Sequence, residues 1–281
     1  MDDSNKRRRV SRCQFGDQTA INQGNVQGNF TVNYSSPQLP APKVIRVIPY
    51  PRNEDLVHRE DLIDRLNQLL PHAGGSGSAA LWGLGGTGKT QIALHYAYQR
   101  CIDGECSVFW VHADSEANFT SDYETIGKEL ELDDNLTGAD LLDAVRRGIE
   151  SRSKWLLVID NADDLWIFGV GRPDQNSSLY NYVPHGLRGA VLWTSRDERI
   201  VGTRISPLRG IQVRSMAILE ATELLATARG IPPASMSSDA DVEALVTELE
   251  CLPLAISQAG AFMRRMSISP QHYLNLLKEG P

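Results

Sequence analysis

From about residue 51 onward, apolar positions follow two alternating rhythms. Short unbroken apolar runs predict buried strands at 79–84, 108–111, 155–159, 190–194 and, more briefly, 211–213. Between them, apolar residues recur at helical spacing. One set is Leu62, Ile63, Leu66, Leu69 and Leu70; others are Phe119, Tyr123, Ile126 and Leu130, then Leu141, Leu142, Val145 and Ile149. A further helix follows a glycine run and reaches Arg100. Strands alternating with helices predict an α/β fold with a parallel, doubly wound sheet. Such strands are covered on both faces, so their runs carry no polar alternation. Beyond residue 216 only helical spacing remains, clearest at Val242, Leu245, Val246 and Leu249, and predicts a small helical domain over 216–281.

The beginning of the chain is different. Gln14 to Tyr34 is rich in Asn, Gln, Gly and Thr, with Ile21, Val26, Phe30, Val32 and Tyr34 set singly among them. That pattern cannot fill a core and predicts a disordered polar tail over 1–36. Residues 37–50 read as a linker, with Pro37, Pro40 and Pro42 followed by an apolar run at 44–48 that Pro49 and Pro51 interrupt. The sheet domain is assigned to 51–215.

Composition narrows the class. A 281-residue chain that is 41% hydrophobic can bury one large core or two smaller ones. A formal net charge of −7 makes nucleic acid an unlikely partner. Lys6 to Arg9 is a local basic exception, either a solvated tail or a nuclear import signal. Cys13, Cys101, Cys106 and Cys251 have neither metal-ligand nor disulfide-framework spacing, which points to a reducing compartment. No signal-peptide pattern and no membrane-length apolar run is present, so a cytoplasmic protein with no membrane partner is expected.

The sharpest chemical signal is Gly83-Leu84-Gly85-Gly86-Thr87-Gly88-Lys89-Thr90, which fits G-x-x-x-x-G-K-[ST] at every position. Gly83, Gly85, Gly86 and Gly88 let main-chain N–H groups turn inward around phosphate oxygens. The helix starting near Gly88 aims its positive end at the same anion. Thr87 and Gln91 complete this set of candidate nucleotide-binding positions. Lys89 would reach the β- and γ-phosphates of ATP or ADP, and Thr90 would coordinate Mg²⁺. Asp160, at the end of an aliphatic strand, would be the second metal ligand. Fast ATPases often place another carboxylate beside that aspartate to orient water; here the position is Asn161, a poor base, which predicts slow hydrolysis at most. Asp163 and Asp164 lie nearby, either as water-orienting groups or as caps of a following helix. Arg196 ends the fourth strand at the ligand crevice of an open sheet, placing it on a γ-phosphate or in a surface ion pair. Lys89, Asp160 and Arg196 are the catalytic candidates.

Taken in order, these segments resemble the NB-ARC domain of the STAND class of P-loop NTPases, as found in fungal NLR-like proteins. Leu56-Val57-His58-Arg59-Glu60 is similar to the family's adenine-wrapping motif. Leu156 to Asp164 looks like its metal-binding strand, Leu192 to Arg196 its sensor-arginine segment, and Leu252-Pro253-Leu254-Ala255 its G-L-P-L-A motif. The resemblance implies that Val57 and Arg59 line the base, that Arg196 senses the γ-phosphate, and that Pro253 closes the pocket from the helical domain. A proline at the first position of a helix is the plain alternative for Pro253. There are three departures. His58 and Cys251 stand where the family has glycine, and the chain ends at Pro281, ahead of the implied winged-helix domain, its histidine motif and a repeat sensor.

The resemblance further implies a switch in which exchange of ADP for ATP drives homo-oligomerisation, in innate immunity or programmed cell death. Residues 14–34 resemble short amyloid signalling motifs and would contact a downstream effector; Asn and Gln ladders suit cross-β stacking. A turnover ATPase or kinase, and an assembly module with a structural nucleotide site, are the competing functions.

Overall fold

The computed structural model describes residues 43–70, 77–102, 104–174, 177–186, 188–232 and 240–279. The polar tail, its amyloid-like motif and Lys6 to Arg9 lie outside the described residues. Six parallel strands form one sheet in the order β1-β3-β4-β5-β2-β6. They are β1 (Arg46–Val47), β2 (Gly77–Trp82), β3 (Ser107–His112), β4 (Trp155–Asp160), β5 (Gly189–Ser195) and β6 (Gly210–Gln212). The doubly wound parallel α/β sheet is as expected.

Side-chain alternation within each apolar run distributes the core to two faces. Trp155, Leu157 and Ile159 of β4 join Phe109 and Val111 of β3 on one face, under α3 (Glu116–Glu129) and α4 (Gly138–Glu150). Leu156, Val158, Val108 and Trp110 point the other way, toward α1 (Glu60–Leu69) and α2 (Lys89–Ile102). This double burial is why no strand shows polar alternation. Ser115 starts α3 by accepting the Asn118 N–H at 3.2 Å.

Two details differ from expectation. Part of the stretch read as linker adds the edge strand β1. Buried Ile45 donates its N–H to Ser107 Oγ at 3.2 Å and accepts the Val108 N–H at 2.9 Å before the prolines end the pairing. Strand β2 also stops at Trp82 rather than 84, because Gly83 and Leu84 turn their carbonyls toward Lys89. In addition, no helix begins at Asp163 or Asp164. Instead, the described residues between β4 and β5, which include a short 3-10 turn at Leu179–Tyr182, bury Leu165, Ile167, Phe168 and Leu179 in the core on that face of the sheet.

A second lobe packs α5 (Ile218–Arg229), α6 (Ala240–Glu248), α7 (Pro253–Met266) and α8 (Pro270–Glu279) around Leu225, Leu245, Ile256 and Met263. Helices α5 and α7 approach closely at Gly260, where a Cβ would meet the Ala228 Cβ at 2.5 Å. Helix α5 ends at Gly230 in the left-handed conformation, φ 71°. No helix among the described residues is long and apolar enough to cross a membrane.

The start of β5 passes directly over the buried Trp155 indole, and a Cβ at Gly189 would lie 1.9 Å from the ring. Gly189→Ala is expected to destabilise the sheet by about 1–3 kcal/mol, the usual cost of overpacking. Urea unfolding followed by far-UV circular dichroism checks this, and an unshifted midpoint would contradict the packing described.

Candidate functional site

The strand order brings the C-terminal ends of β2, β4 and β5 side by side, and the glycine loop leaves β2 at that point. Only unusual backbone geometry fits this loop. Gly83, Gly86 and Gly88 have φ of 147°, 82° and 92°, and a Cβ at Gly83 would sit 2.4 Å from the Val213 carbonyl oxygen.

Lys89, the first residue of α2, folds its buried side chain back under the loop. Its Nζ donates to the Gly83 and Leu84 carbonyls at 2.9 and 2.8 Å. Burial pushes the Lys89 pKa down; the charge of Asp163 is the strongest influence in the opposite direction. Among the described residues the ammonium forms no ion pair and makes these two hydrogen bonds, which leaves one of its three donors for a ligand. A cation in this state, inside a ring of main-chain amides at a helix start, fits a polyphosphate.

Asp160 lies behind the next residue. It is fully buried and accepts from Thr90 Oγ1 at 3.0 Å and from Thr194 Oγ1 at 2.5 Å. Burial raises its pKa, and the two threonine hydrogen bonds oppose that rise. The Thr90 hydroxyl and the Asp160 carboxylate together form a pair of hard oxygen donors beside the phosphate cradle, the chemistry Mg²⁺ requires. When bound, the metal would neutralise charge on the phosphate oxygens. Thr194 Oγ1 also accepts the Asn161 N–H at 2.9 Å, fixing Asn161 at φ 59°.

A cavity of about 510 Å³ extends from this loop, within the range of nucleotide-sized pockets. Of the candidates, Val57, Arg59, Gly85, Gly86, Thr87, Gly88, Lys89, Thr90, Gln91, Arg196 and Pro253 line it. Gly83 and Asp160 do not, but each is bonded to a residue that does: Gly83 accepts from Lys89 and Asp160 from Thr90. Arg59 has a second job. Its Nη1 donates to the Arg214 carbonyl at 2.9 Å, and its Nε lies 3.6 Å from Glu220 Oε2, linking the start of α1 to the helical lobe.

His58 takes an ordinary backbone conformation and meets His95 edge-on, centroids 5.0 Å apart. Burial, then the charges of His58 and Arg52, holds His95 below the usual imidazole range. Cys251 does need glycine-like geometry, with φ 50° after Glu250 at 53°. The left-handed pair is held by Cys251 N–H to the Val246 carbonyl at 2.9 Å and Met216 N–H to the Cys251 carbonyl at 3.0 Å.

Sequence reasoning missed Asn53, Asp55, His95, Met216, Leu224 and Ser257 in the lining. His95 was accessible, being one helical turn beyond Gln91 on the same face. Asn53, whose Nδ2 donates to Gln91 Oε1 at 3.0 Å, and the helical-lobe residues left no sequence signal, since folding alone brings them there.

Comparison with known proteins agrees with this geometry. A family model described as an AAA domain matches residues 72–186. An NLR-like protein carrying leucine-rich repeats in its description, from Hyaloscypha variabilis, is 31% identical over 82% of this chain. The chain has the P-loop NTPase fold and is similar to an NLR-like protein. It spans 24% of that relative's length. Among solved structures, the Walker-type ATPase of Pyrococcus abyssi matches 82% of this chain and 73% of its own, with TM-score 0.54 and 15% identity. Cdc6p from Pyrobaculum aerophilum matches 78% and 65%, with TM-score 0.51 and 14% identity. These last two share the fold. A P-loop NTPase binds a nucleotide polyphosphate, typically with Mg²⁺.

In this P-loop fold, Lys89→Ala is expected to weaken Mg²⁺-nucleotide binding by about a hundredfold or more, since it removes a charge-assisted contact from a buried site. Isothermal titration on folded protein is the check; retention of wild-type affinity would remove Lys89 from the site.

Proposed function

We propose that this chain is a nucleotide-controlled signalling switch of NB-ARC type, in which the helical lobe reads the state of the phosphate loop. One observation carries the reading: the Leu254 N–H, at the start of α7, donates to the Gly86 carbonyl at 3.2 Å. Leu254 Cβ would lie 3.1 Å from a Cβ at Gly86, and Pro253 packs near Gly88. Pro253 is therefore both a first-turn helix proline and a wall of the cavity.

Two residues tie the lobes together and a third faces the phosphates. Arg59 and Glu220 fasten the far side of the cavity, with Glu220 also accepting the Ala217 N–H at 2.8 Å. Arg196 lies across Gly85, its Cζ 3.6 Å from the position of a Cβ there, and is assigned to the γ-phosphate. ADP favours the closed arrangement of the lobes. ATP recruits Arg196, alters the Gly86–Leu254 contact and frees surfaces for homo-oligomerisation. Residues 14–34 then engage a downstream effector, in innate immunity or programmed cell death. Asn161 supports slow hydrolysis, because an amide beside the metal aspartate cannot take a proton from water.

The test compares the full chain with Mg²⁺-ADP and with a Mg²⁺-bound non-hydrolysable ATP analogue by mass photometry. A larger assembly with the analogue alone is expected; one mass distribution for both would rule out the switch. Separately, Asn161→Asp, which tolerates the same left-handed backbone, is expected to raise steady-state phosphate release about tenfold. An unchanged rate would mean that another group limits hydrolysis.

A further inference from the structure

We propose that Asp163 is the positioning residue that aims Arg196 at the terminal phosphate, an inference that rests on the γ-phosphate role given to Arg196 above. The loop after β4 is fastened to the end of β5 by successive bonds beyond the last ladder pair. Ala162 N–H donates to the Thr194 carbonyl at 2.8 Å, and Ser195 Oγ donates to the Ala162 carbonyl at 2.7 Å. Asp163 continues the series with both carboxylate oxygens. Oδ1 accepts the Arg196 N–H at 2.6 Å, and Oδ2 lies 3.1 Å from Arg196 Nε.

The guanidinium is paired with Asp163 on its Nε side, and Nε, Cζ and Nη1 all lie beside the phosphate loop, 3.6, 3.6 and 3.8 Å from a Cβ placed at Gly85. A planar fork held by its Nε side keeps its terminal donors for a phosphate oxygen. Without that hold, the side chain would be free to rotate, since 68% of its surface is exposed. An exposed ion pair contributes little to stability, so the function of this one lies in orientation. Arg196 itself lines the cavity beside Gly85, which places its contact with Asp163 at the phosphate end of the cavity rather than at a remote surface.

This arrangement predicts that Asp163 favours a triphosphate over a diphosphate, although it does not line the cavity. The experiment measures affinity for Mg²⁺-ADP and for a Mg²⁺-bound non-hydrolysable ATP analogue in the full chain, for Asp163→Ala, Asp163→Asn, Arg196→Ala and the Asp163→Ala/Arg196→Ala pair. Thermal melts confirm that each variant is folded. Asp163→Ala is expected to lower the analogue-to-ADP affinity ratio about tenfold, as loss of an oriented charge-assisted contact does. Asp163→Asn, which still accepts the Arg196 N–H, is expected to fall between wild type and alanine. The double variant should match Arg196→Ala alone, because the two residues act as one unit.

Either of two results overturns the inference while leaving the sensor role of Arg196 intact: Asp163→Ala keeps the wild-type ratio while Arg196→Ala loses it, or Asp163→Ala binds the analogue more tightly, which would make Asp163 a competitor of the phosphate. If Arg196→Ala itself keeps the wild-type ratio, the sensor role fails and this inference with it.

Discussion

Lys89 carries a positive charge into a buried position where it finds two main-chain carbonyls and, among the described residues, no ion-pair partner. That is an expensive state for a protein to maintain, and burial accordingly pulls its pKa down. The surrounding geometry is explicable as preparation for an anion: glycines at positive φ shape the loop, and α2 begins at that point. The charge of the polyphosphate completes what the chain leaves open.

The remaining parts of the site are arranged by the sheet. Placing β5 between β2 and β4 sets Thr194 against Asp160 and Arg196 against the phosphate loop. Thr194 serves both neighbours, donating to Asp160 and accepting from Asn161. Asp160 and the adjacent Asn161 amide at the end of β4, and Arg196 just past the end of β5, therefore sit at neighbouring strand ends. Preorganised polar groups of this kind spend little reorganisation on binding a charged ligand.

In the proposed switch the helical lobe is the part that moves. Among the described residues, its contacts with the sheet domain include the Leu254–Gly86 hydrogen bond, the packing of Leu252 and Pro253 against the glycine loop, and the Arg59–Glu220 ion pair. Cys251 adopts a left-handed backbone where the resembling family has glycine, so the turn into α7 keeps its shape at some cost in strain. His58, the other departure, needs no glycine geometry and instead packs its ring against His95.

By itself the sequence determined what local chemistry can determine. Continuous apolar runs specified strands covered on both faces, helical spacing specified the layers over them, and Gly83 to Thr90 specified a phosphate loop with Lys89 and Thr90 in known places. Asp160 followed from its place at a strand end. Tertiary structure decided whatever depends on which elements become neighbours. It made an edge strand of residues that prolines had marked as linker. It gave Asp163 to Arg196 instead of to a helix start, and recruited Asn53, Met216, Leu224 and Ser257 to a cavity far from them in sequence. The physical reason is the same in each case. Side-chain periodicity and backbone sterics act within a few residues, whereas strand order and lobe packing are set by burial over the whole chain.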